Sequence, residues 1–365
     1  MRILCITNHL YGTDGWGRYS TDLIYSLSDI GNDIRILCHR KNTDIEFTQY
    51  EVLSSPISFS KNYLLSYFFV FKYILQIKKF NPDIIHCMVE TYSPIAYLIA
   101  LILRKKYIIT VHGSFALKPF INPVYSILQK HFCAKAKHIV AVSQYTKKRL
   151  QDMLPNIPIV VINNGINESF LTIARKDISK SKEKTILGVG SVKNRKGFHI
   201  SLKVFAEVLK EFPDYKYIII GNTSDIKYVK YIKEIIRDLN IADNVEIIDD
   251  ANDDRLIDFY SRAKLFVLTS VSDKYDFEGF GLVYIEANAF GTPVIGCYES
   301  GAEDAIVNGK TGFLVKSNDI NDIVSKVFMV LRDDMLYNSM SSSARAYAVT
   351  MSWTEKVKEY IKLYL

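Results

Sequence analysis

The sequence predicts an α/β protein made of two Rossmann-like domains, and three observations carry that expectation. The 365 residues exceed what one hydrophobic core usually holds and suit two domains of ordinary size. Short apolar runs that end in glycine or polar turn residues alternate with helical patterns in both halves, the rhythm of parallel strands covered by helices. Between the halves lies a polar, Lys- and Ser-rich stretch, Thr172 to Lys184, with little apolar content, which marks a boundary. The domains are therefore set at 1–170 and 171–351. With 48% hydrophobic and 23% charged residues, the composition is globular and not that of a disordered chain.

The charge is unevenly placed. Up to Gly165 there are 19 Lys and Arg against 10 Asp and Glu, a net of +9; the remainder, 27 against 29, nets −2. The excess positive charge of the first half points to an anionic partner there: membrane headgroups, a phosphorylated acceptor or nucleic acid. No recognised nucleic-acid motif accompanies it, so no nucleic-acid partner is expected. Cys5, Cys38, Cys87, Cys133 and Cys297 show no CxxC spacing and read as small buried hydrophobes in a reducing compartment. Met1 to Asn8 passes directly into a strand pattern, and a cytoplasmic protein is expected.

Taken in order, Arg2 to Asn8 reads as a buried parallel strand, Gly12 to Ser20 as a glycine loop, and the following pattern as a helix to about Asp29. Gly31 and Asn32 stop that helix, and Asp33 to Cys38 is a second strand, which completes the opening of a Rossmann-like unit. Gly15, Gly17 and Ser20 approach a dinucleotide fingerprint. The third glycine is absent, and His39 and Arg40 stand where a ribose-binding acid would be, which disfavours an NAD-dependent oxidoreductase. Lys61 to Phe80 is aromatic, aliphatic and basic, with an uncharged run too short for the roughly 20 residues that span a bilayer. It reads either as an interfacial helix with lysines toward headgroups or as a core helix capped by surface lysines. Asp83 to Met88 and Tyr107 to Val111 are strands. The second ends in His112, Gly113 and Ser114, so His112 faces the crevice where α/β sheets bind ligands, and Glu90, just past the first, is a candidate for holding an acceptor. His138 to Val142 is a strand leading to Ser143 as a helix N-cap, and Ile159 to Ile162 closes the half.

The second half restarts the alternation. Thr185 to Val189 is a strand, and Gly190 to Gly197 leads into a helix from Phe198 to about Glu211. Arg195 and Lys196 thus sit beside a helix start, where they can jointly hold a diphosphate. Tyr217 to Ile220, Val245 to Ile248 and Leu265 to Leu268 are further strands. The acidic run Asp249, Asp250, Asp253 and Asp254 is expected to cap and begin the helix at Arg255, not to bind a metal. Asp276 to Glu286 then reads DFEGFGLVYIE. Gly279, Phe280 and Gly281 form a tight turn with outward N–H groups, and Leu282 onward reads as a buried helix, so this turn is an anion site with Glu278 at its mouth. Glu286, further along the helix, needs a partner if buried; two glutamates alone would otherwise read as a helix-start acid and a surface acid. The last helix begins near Trp353.

E-G-F-G-L, a second Glu eight positions after the first, and AxxxGTPVI from Ala287 to Ile295 together resemble the signature of the GT-B glycosyltransferases of the retaining family 4 type. The resemblance implies two Rossmann-like domains facing across a cleft, an acceptor domain first and a donor domain second, with the C-terminal helix, 352–365, packing back on the first. It implies transfer of a sugar from a nucleotide diphosphate to an acceptor hydroxyl with retention, without a metal or other cofactor. Gly15, Trp16 and Gly17 would approach acceptor or donor phosphates, and Gly279, Phe280, Gly281 and Leu282 would hold the donor. Arg195 and Lys196 would stabilise the leaving phosphates, Glu286 the ribose, Glu278 the sugar hydroxyls, and His112 the donor sugar or phosphate. One departure stands out: many members of that family carry Arg directly after the glycine matching Gly190, where this chain has Ser191, so either Arg195 supplies that charge or phosphate binding is weaker. A saccharide or lipid-linked acceptor of a surface-polysaccharide or glycolipid pathway is expected, with peripheral membrane contact through the basic first domain at the inner face. The alternatives are a nucleotide-sugar epimerase and a catalytically silent nucleotide-sugar-binding subunit.

Overall fold

The computed structural model describes residues 1–12, 14–56, 63–176, 182–249 and 251–365, with backbone alone over 63–69. The chain forms two compact units, one from Met1–Gly165 together with Trp353–Leu365, the other from Ile166–Ser352. In the first unit the strands are β1 (Arg2–Ile6), β2 (Asp33–Cys38), β3 (Thr48–Glu51), β4 (Ile84–Cys87), β5 (Lys106–Val111), β6 (His138–Ala141) and β7 (Ile159–Val161). In the second they are β8 (Glu183–Val189), β9 (Lys216–Ile220), β10 (Val245–Ile248), β11 (Ala263–Val267), β12 (Val294–Cys297) and β13 (Gly312–Val315). The two sheets have the orders β3-β2-β1-β4-β5-β6-β7 and β10-β9-β8-β11-β12-β13, with parallel pairing throughout the described residues. Each unit is Rossmann-like. Both-face burial explains why the central strands read as continuous apolar runs; Ile3, Leu4, Cys5 and Ile6 of β1 are all fully buried.

The strand orders fix where a ligand can sit. In the first sheet the chain runs from β1 outward to β2 and β3, then returns to the other side of β1 with β4, so its direction reverses between β1 and β4. In the second the reversal falls between β8 and β11. Helices on opposite faces diverge at such a reversal and leave a crevice at the carboxyl ends of the two strands.

The last helix, Trp353–Tyr364, belongs to the core of the first unit. Trp353, Val357 and Tyr360 are buried among Ile3, Leu23 and Leu27, and the helix packs beside Gly15–Asp29. Its buried phenols are satisfied, as low dielectric requires: the Tyr360 hydroxyl meets that of Tyr19 at 2.8 Å, and the Tyr364 hydroxyl meets His86 Nδ1 at 2.8 Å. The chain enters the second unit ahead of the polar stretch, because helix Glu168–Lys176 buries Phe170, Leu171 and Ala174 in that unit. Residues 177–181 of the polar stretch lie outside the described residues.

The acidic run opens a helix as expected, with Asp253 and Asp254 in its first turn, but it does not supply the cap. Helix Asp253–Arg262 is capped by Asn252, whose Oδ1 accepts from Arg255 N at 3.0 Å; Asp249 instead accepts from Thr223 N at 3.0 Å, and Asp250 lies outside the described residues. The Lys61 to Phe80 segment is a helix from Tyr63–Phe80, with Lys61 outside the described residues; Ile77 and Phe80 are buried while Phe71 and Leu75 are exposed. No helix among the described residues is long and apolar enough to cross a membrane.

Candidate functional site

In the second unit, the reversal between β8 and β11 brings two segments together. The loop after β8 carries Gly190 to Gly197, closing as a turn of 3₁₀ helix at Asn194–Lys196 that runs into helix Phe198–Glu211. The chain after β11 carries Ser270, Asp276 and Glu278. Lys196 Nζ donates to Glu278 Oε2 at 2.5 Å, and Arg195 Nη1 donates to the same oxygen at 3.1 Å and to the Phe277 carbonyl at 3.1 Å. Arg195 Nε also faces Asp276 Oδ1 at 3.3 Å, and Ser270 Oγ lies 3.4 Å from Glu278 Oε2. Lys196 and Glu278 are both buried, at 8% exposure each. Burial alone would push the Glu278 carboxyl up, but the Lys196 ammonium and the Arg195 guanidinium override it and hold it at about 2. Burial also draws the Lys196 ammonium down against the attraction of Glu278, and burial with the neighbouring Arg195 and Lys196 does the same at Lys193. We take the Lys196–Glu278 pair as ionised, since a buried charge of either sign is tolerable only beside the other.

Gly190 makes room for this pair. Its φ is +150°, a region L side chains rarely adopt, and a Cβ there would stand 2.9 Å from Lys196 Cε. On the other side, Gly281 at φ +85° opens helix Leu282–Ala289 with no side-chain cap, so the N–H groups of its first turn present the positive end of the helix dipole. Phe280 is 2% exposed and anchors the turn in the core, so what it can offer a ligand is backbone. Glu286 sits on the same helix, buried, and its Oε2 accepts from the Tyr260 hydroxyl at 2.7 Å. The second unit therefore gathers Arg195, Lys196, Glu278 and the Gly279 to Leu282 turn around one strand-end crevice, while Glu286, on the helix that follows the turn, is held by Tyr260.

In the first unit, Gly15, Trp16, Gly17, Glu90 and His112 follow the carboxyl ends of β1, β4 and β5, three neighbouring interior strands that include the reversal between β1 and β4. Asp14 caps helix Gly15–Asp29 by accepting from Gly17 N at 2.8 Å, and His9 Nε2 meets Asp14 Oδ2 at 2.9 Å. His9 Nδ1 accepts from Tyr11 N at 3.2 Å, so both ring nitrogens hold the loop and neither is left for chemistry. Gly17 must be glycine: a Cβ would lie 1.9 Å from the Tyr11 carbonyl oxygen. Trp16 packs edge-on to Phe115, ring centroids 4.4 Å apart.

His112 Nε2 lies 2.8 Å from the Met88 carbonyl, which assigns the proton to Nε2 and leaves Nδ1 as acceptor. Burial lowers this imidazole to about 4, against a smaller opposing pull from the Met88 carbonyl, so it is neutral at pH 7. Glu90, 1% exposed, accepts from His112 N at 3.2 Å through Oε1, while its buried Oε2 has no hydrogen-bond partner among the described residues. Burial raises its carboxyl to about 7, against backbone hydrogen bonds and the Lys118 charge that pull it down.

Several residues of these clusters escape sequence reasoning. Asp276 lies inside the quoted motif two positions before Glu278, and pairing it with Arg195 required only asking what balances two adjacent cations. Tyr260 and Ser270 carry no local signal, because their roles arise from packing between distant segments. Among the described residues, no group of three or more His, Cys, Asp or Glu side chains is placed to hold a metal ion.

Residues 169–347 match the family described as glycosyl transferases group 1, and residues 13–170 match glycosyltransferase family 4. An uncharacterised glycosyltransferase of Haemophilus influenzae is 26% identical over 339 residues, 91% of this chain and 90% of that one. N-acetyl-alpha-D-glucosaminyl L-malate synthase of Bacillus anthracis is 26% identical over 78% of this chain and 74% of its own. Among solved structures, sucrose-phosphate synthase from Thermosynechococcus elongatus superposes with a TM-score of 0.81 at 19% identity, covering 100% of this chain and 98% of that one. HepE of Anabaena, in complex with UDP and glucose, gives 0.79 at 16% identity over 99% and 98%.

Proposed function

The chain belongs to the group 1 glycosyltransferases of the GT-B fold, and from that premise we propose that it moves a sugar from a nucleoside diphosphate donor to an acceptor hydroxyl, with retention at the anomeric carbon. The observation that carries the reading is the buried Glu278 held ionised by Lys196 and Arg195 beside an uncapped helix start.

The donor reaction expels a nucleoside diphosphate, so negative charge grows on the departing phosphate oxygen. Lys196, Arg195 and the N–H groups of the Gly279 to Leu282 turn supply fixed positive charge to it in a site that excludes water. The reading assigns this work to side chains and backbone, not to a metal ion. Ser191 leaves the position after Gly190 uncharged, and Arg195 supplies the second cation from four residues on. Glu278, with its carboxyl near 2, is a carboxylate throughout the physiological range and accepts hydrogen bonds from sugar hydroxyls. So weak a base does not take the acceptor proton, which passes to the departing phosphate oxygen. Glu286 accepts from the ribose hydroxyls, with Tyr260 fixing its rotamer.

In the first unit, neutral His112 has already spent its N–H on Met88, so Nδ1 takes a hydrogen bond from a sugar hydroxyl and does not serve a phosphate anion. The unpaired Glu90 Oε2 receives the acceptor hydroxyl, and Gly15 to Gly17 let the backbone approach the substrates. A lipid-linked acceptor of a surface-polysaccharide or glycolipid pathway, met at the cytoplasmic face of a membrane, agrees with the basic first half.

Calorimetric binding of UDP, GDP and ADP to the wild type and to Glu286→Ala tests the donor site. UDP comes first, because the Anabaena relative holds it. One nucleotide bound tightly and weakened at least about ten-fold by the substitution is the expected result; no binding of any of the three would count against the assignment.

A further inference from the structure

Helix Pro123–Lys135 of the first unit is turned inside out. The side it buries carries Gln129 and Cys133, with Gln129 held by Ser93 at 3.0 Å, while Val124, Ile127 and Leu128 point outward at 65%, 70% and 47% exposure. At 100° per residue these three occupy one stripe opposite Cys133. Helix Ser93–Leu103 packs alongside and ends in exposed Leu101 and Ile102. A stripe of this kind on the solvent side gains nothing for folding and marks a surface that is covered in use.

The charge around it identifies what covers it. Between Glu90 and Asp152 the chain has ten Lys and Arg and no Asp or Glu. Lys118 precedes the exposed helix, Lys130 lies within it, Lys135 ends it, and Arg104 and Lys106 follow its neighbour, all of them exposed. A face combining aliphatic side chains with cations alone matches a bilayer whose headgroups are anionic and whose acyl region begins a few ångströms below. Connectivity links this face to the candidate site: Glu90 leads through one turn into Ser93–Leu103, and His112 through two short turns into Pro123–Lys135.

We infer that the outward face of helix Pro123–Lys135, with the exposed end of Ser93–Leu103, docks the first unit on anionic lipid, inserting Val124, Ile127 and Leu128 while Lys130 and Lys135 meet headgroups. The inference deepens the proposed function by naming the surface through which a lipid-linked acceptor is met, and it rests on that reading only for the acceptor. It moves the membrane contact away from Lys61 to Phe80, the segment that sequence alone suggested.

The test is co-sedimentation of the full chain with phosphatidylcholine vesicles, with and without phosphatidylglycerol, and in parallel calorimetry with UDP, GDP and ADP on every variant. The wild type is expected to sediment with the anionic vesicles and little with the neutral ones. Ile127→Glu/Leu128→Glu loses at least about ten-fold in partitioning, and Lys130→Glu/Lys135→Glu loses the preference for anionic lipid. Both variants retain the calorimetric unfolding transition of the first unit, which shows that the unit carrying the substitutions folds, and both retain the nucleotide binding of the wild type. The inference is overturned if the wild type ignores anionic vesicles, or if Phe71→Glu/Leu75→Glu abolishes binding while Ile127→Glu/Leu128→Glu does not. It is equally overturned if sedimentation velocity shows a dimer that only Ile127→Glu/Leu128→Glu dissolves and no variant changes lipid binding, since the face then meets a second copy. Loss of nucleotide binding in the wild type with vesicle binding intact would sink the enzymatic reading and leave the surface standing.

Discussion

Lys196 and Glu278 answer different questions about the same 2.5 Å contact. For activity the cation matters: Lys196→Ala removes one preorganised charge from the leaving group and is expected to lower kcat by about 10²–10³, a loss read in a steady-state assay with saturating donor. For stability the anion matters. Its carboxyl falls from an ordinary 4.5 to about 2 on folding, so the pair contributes about 3 kcal/mol that is present above pH 4.5 and lost as pH falls through 2. Urea titrations between those limits are expected to show a smaller decline for Glu278→Gln than for the wild type; parallel curves would refute the ionised pair. Glu90 runs the other way. Its carboxyl rises to about 7, so its contribution is full below 4.5 and fades as pH climbs through 7. The protonated form can donate to an acceptor hydroxyl, so KM for the acceptor is expected to rise above pH 7 in the wild type and to stay flat in Glu90→Gln. Glu278 and Glu286 stood out in the sequence because one motif sets them eight positions apart, and Lys196 because it stands with Arg195 beside a helix start. The glutamates' partners Ser270 and Tyr260 did not, because each reaches its glutamate only after distant segments fold together.

At the scale of elements, a strand was legible when it formed a buried apolar run set apart from its neighbours in the sequence. Strands β1, β4 and β11 bury apolar residues on both faces and could be read from the sequence alone. Strand β3, whose sequence is TQYE, sits at an edge with none of its residues buried, so it offered no apolar run to recognise. Strand β12 lay hidden in the tail of the glutamate motif, and four-residue β13 follows a turn too closely to stand out. The last helix shows what an element can contribute from outside its own half of the sequence. Trp353 is 2% exposed against Gly165, where an added Cβ would come within 2.6 Å of the indole. Trp353→Ala is expected to destabilise the first unit by about 3–5 kcal/mol through the cavity it leaves. Calorimetric unfolding is the check: the transition of the first unit should move down while that of the second stays, and a shift of both together would contradict the division into units.

At the scale of the whole molecule, the two units differ in how they are cut from the chain. The second is one continuous segment, Ile166–Ser352, whereas the first needs both ends, Met1–Gly165 and Trp353–Leu365. All the groups assigned to the donor, from Arg195 and Lys196 to Glu278 and Glu286, lie in the continuous segment and around its own strand reversal. A chain of residues 166–352 is therefore expected to fold alone, to bind the same nucleotide as the full protein within about ten-fold, and to transfer no sugar, because Glu90 and His112 are missing. Residues 1–165 without the final helix are expected to aggregate, since Leu23, Leu27 and Ile3 lose the cover of Val357 and Tyr360. Circular dichroism and calorimetry on the two pieces decide the matter. A folded 166–352 that binds no nucleotide would mean that the donor site draws on the first unit. A soluble, cooperatively unfolding 1–165 would mean that the C-terminal helix covers a core already complete without it.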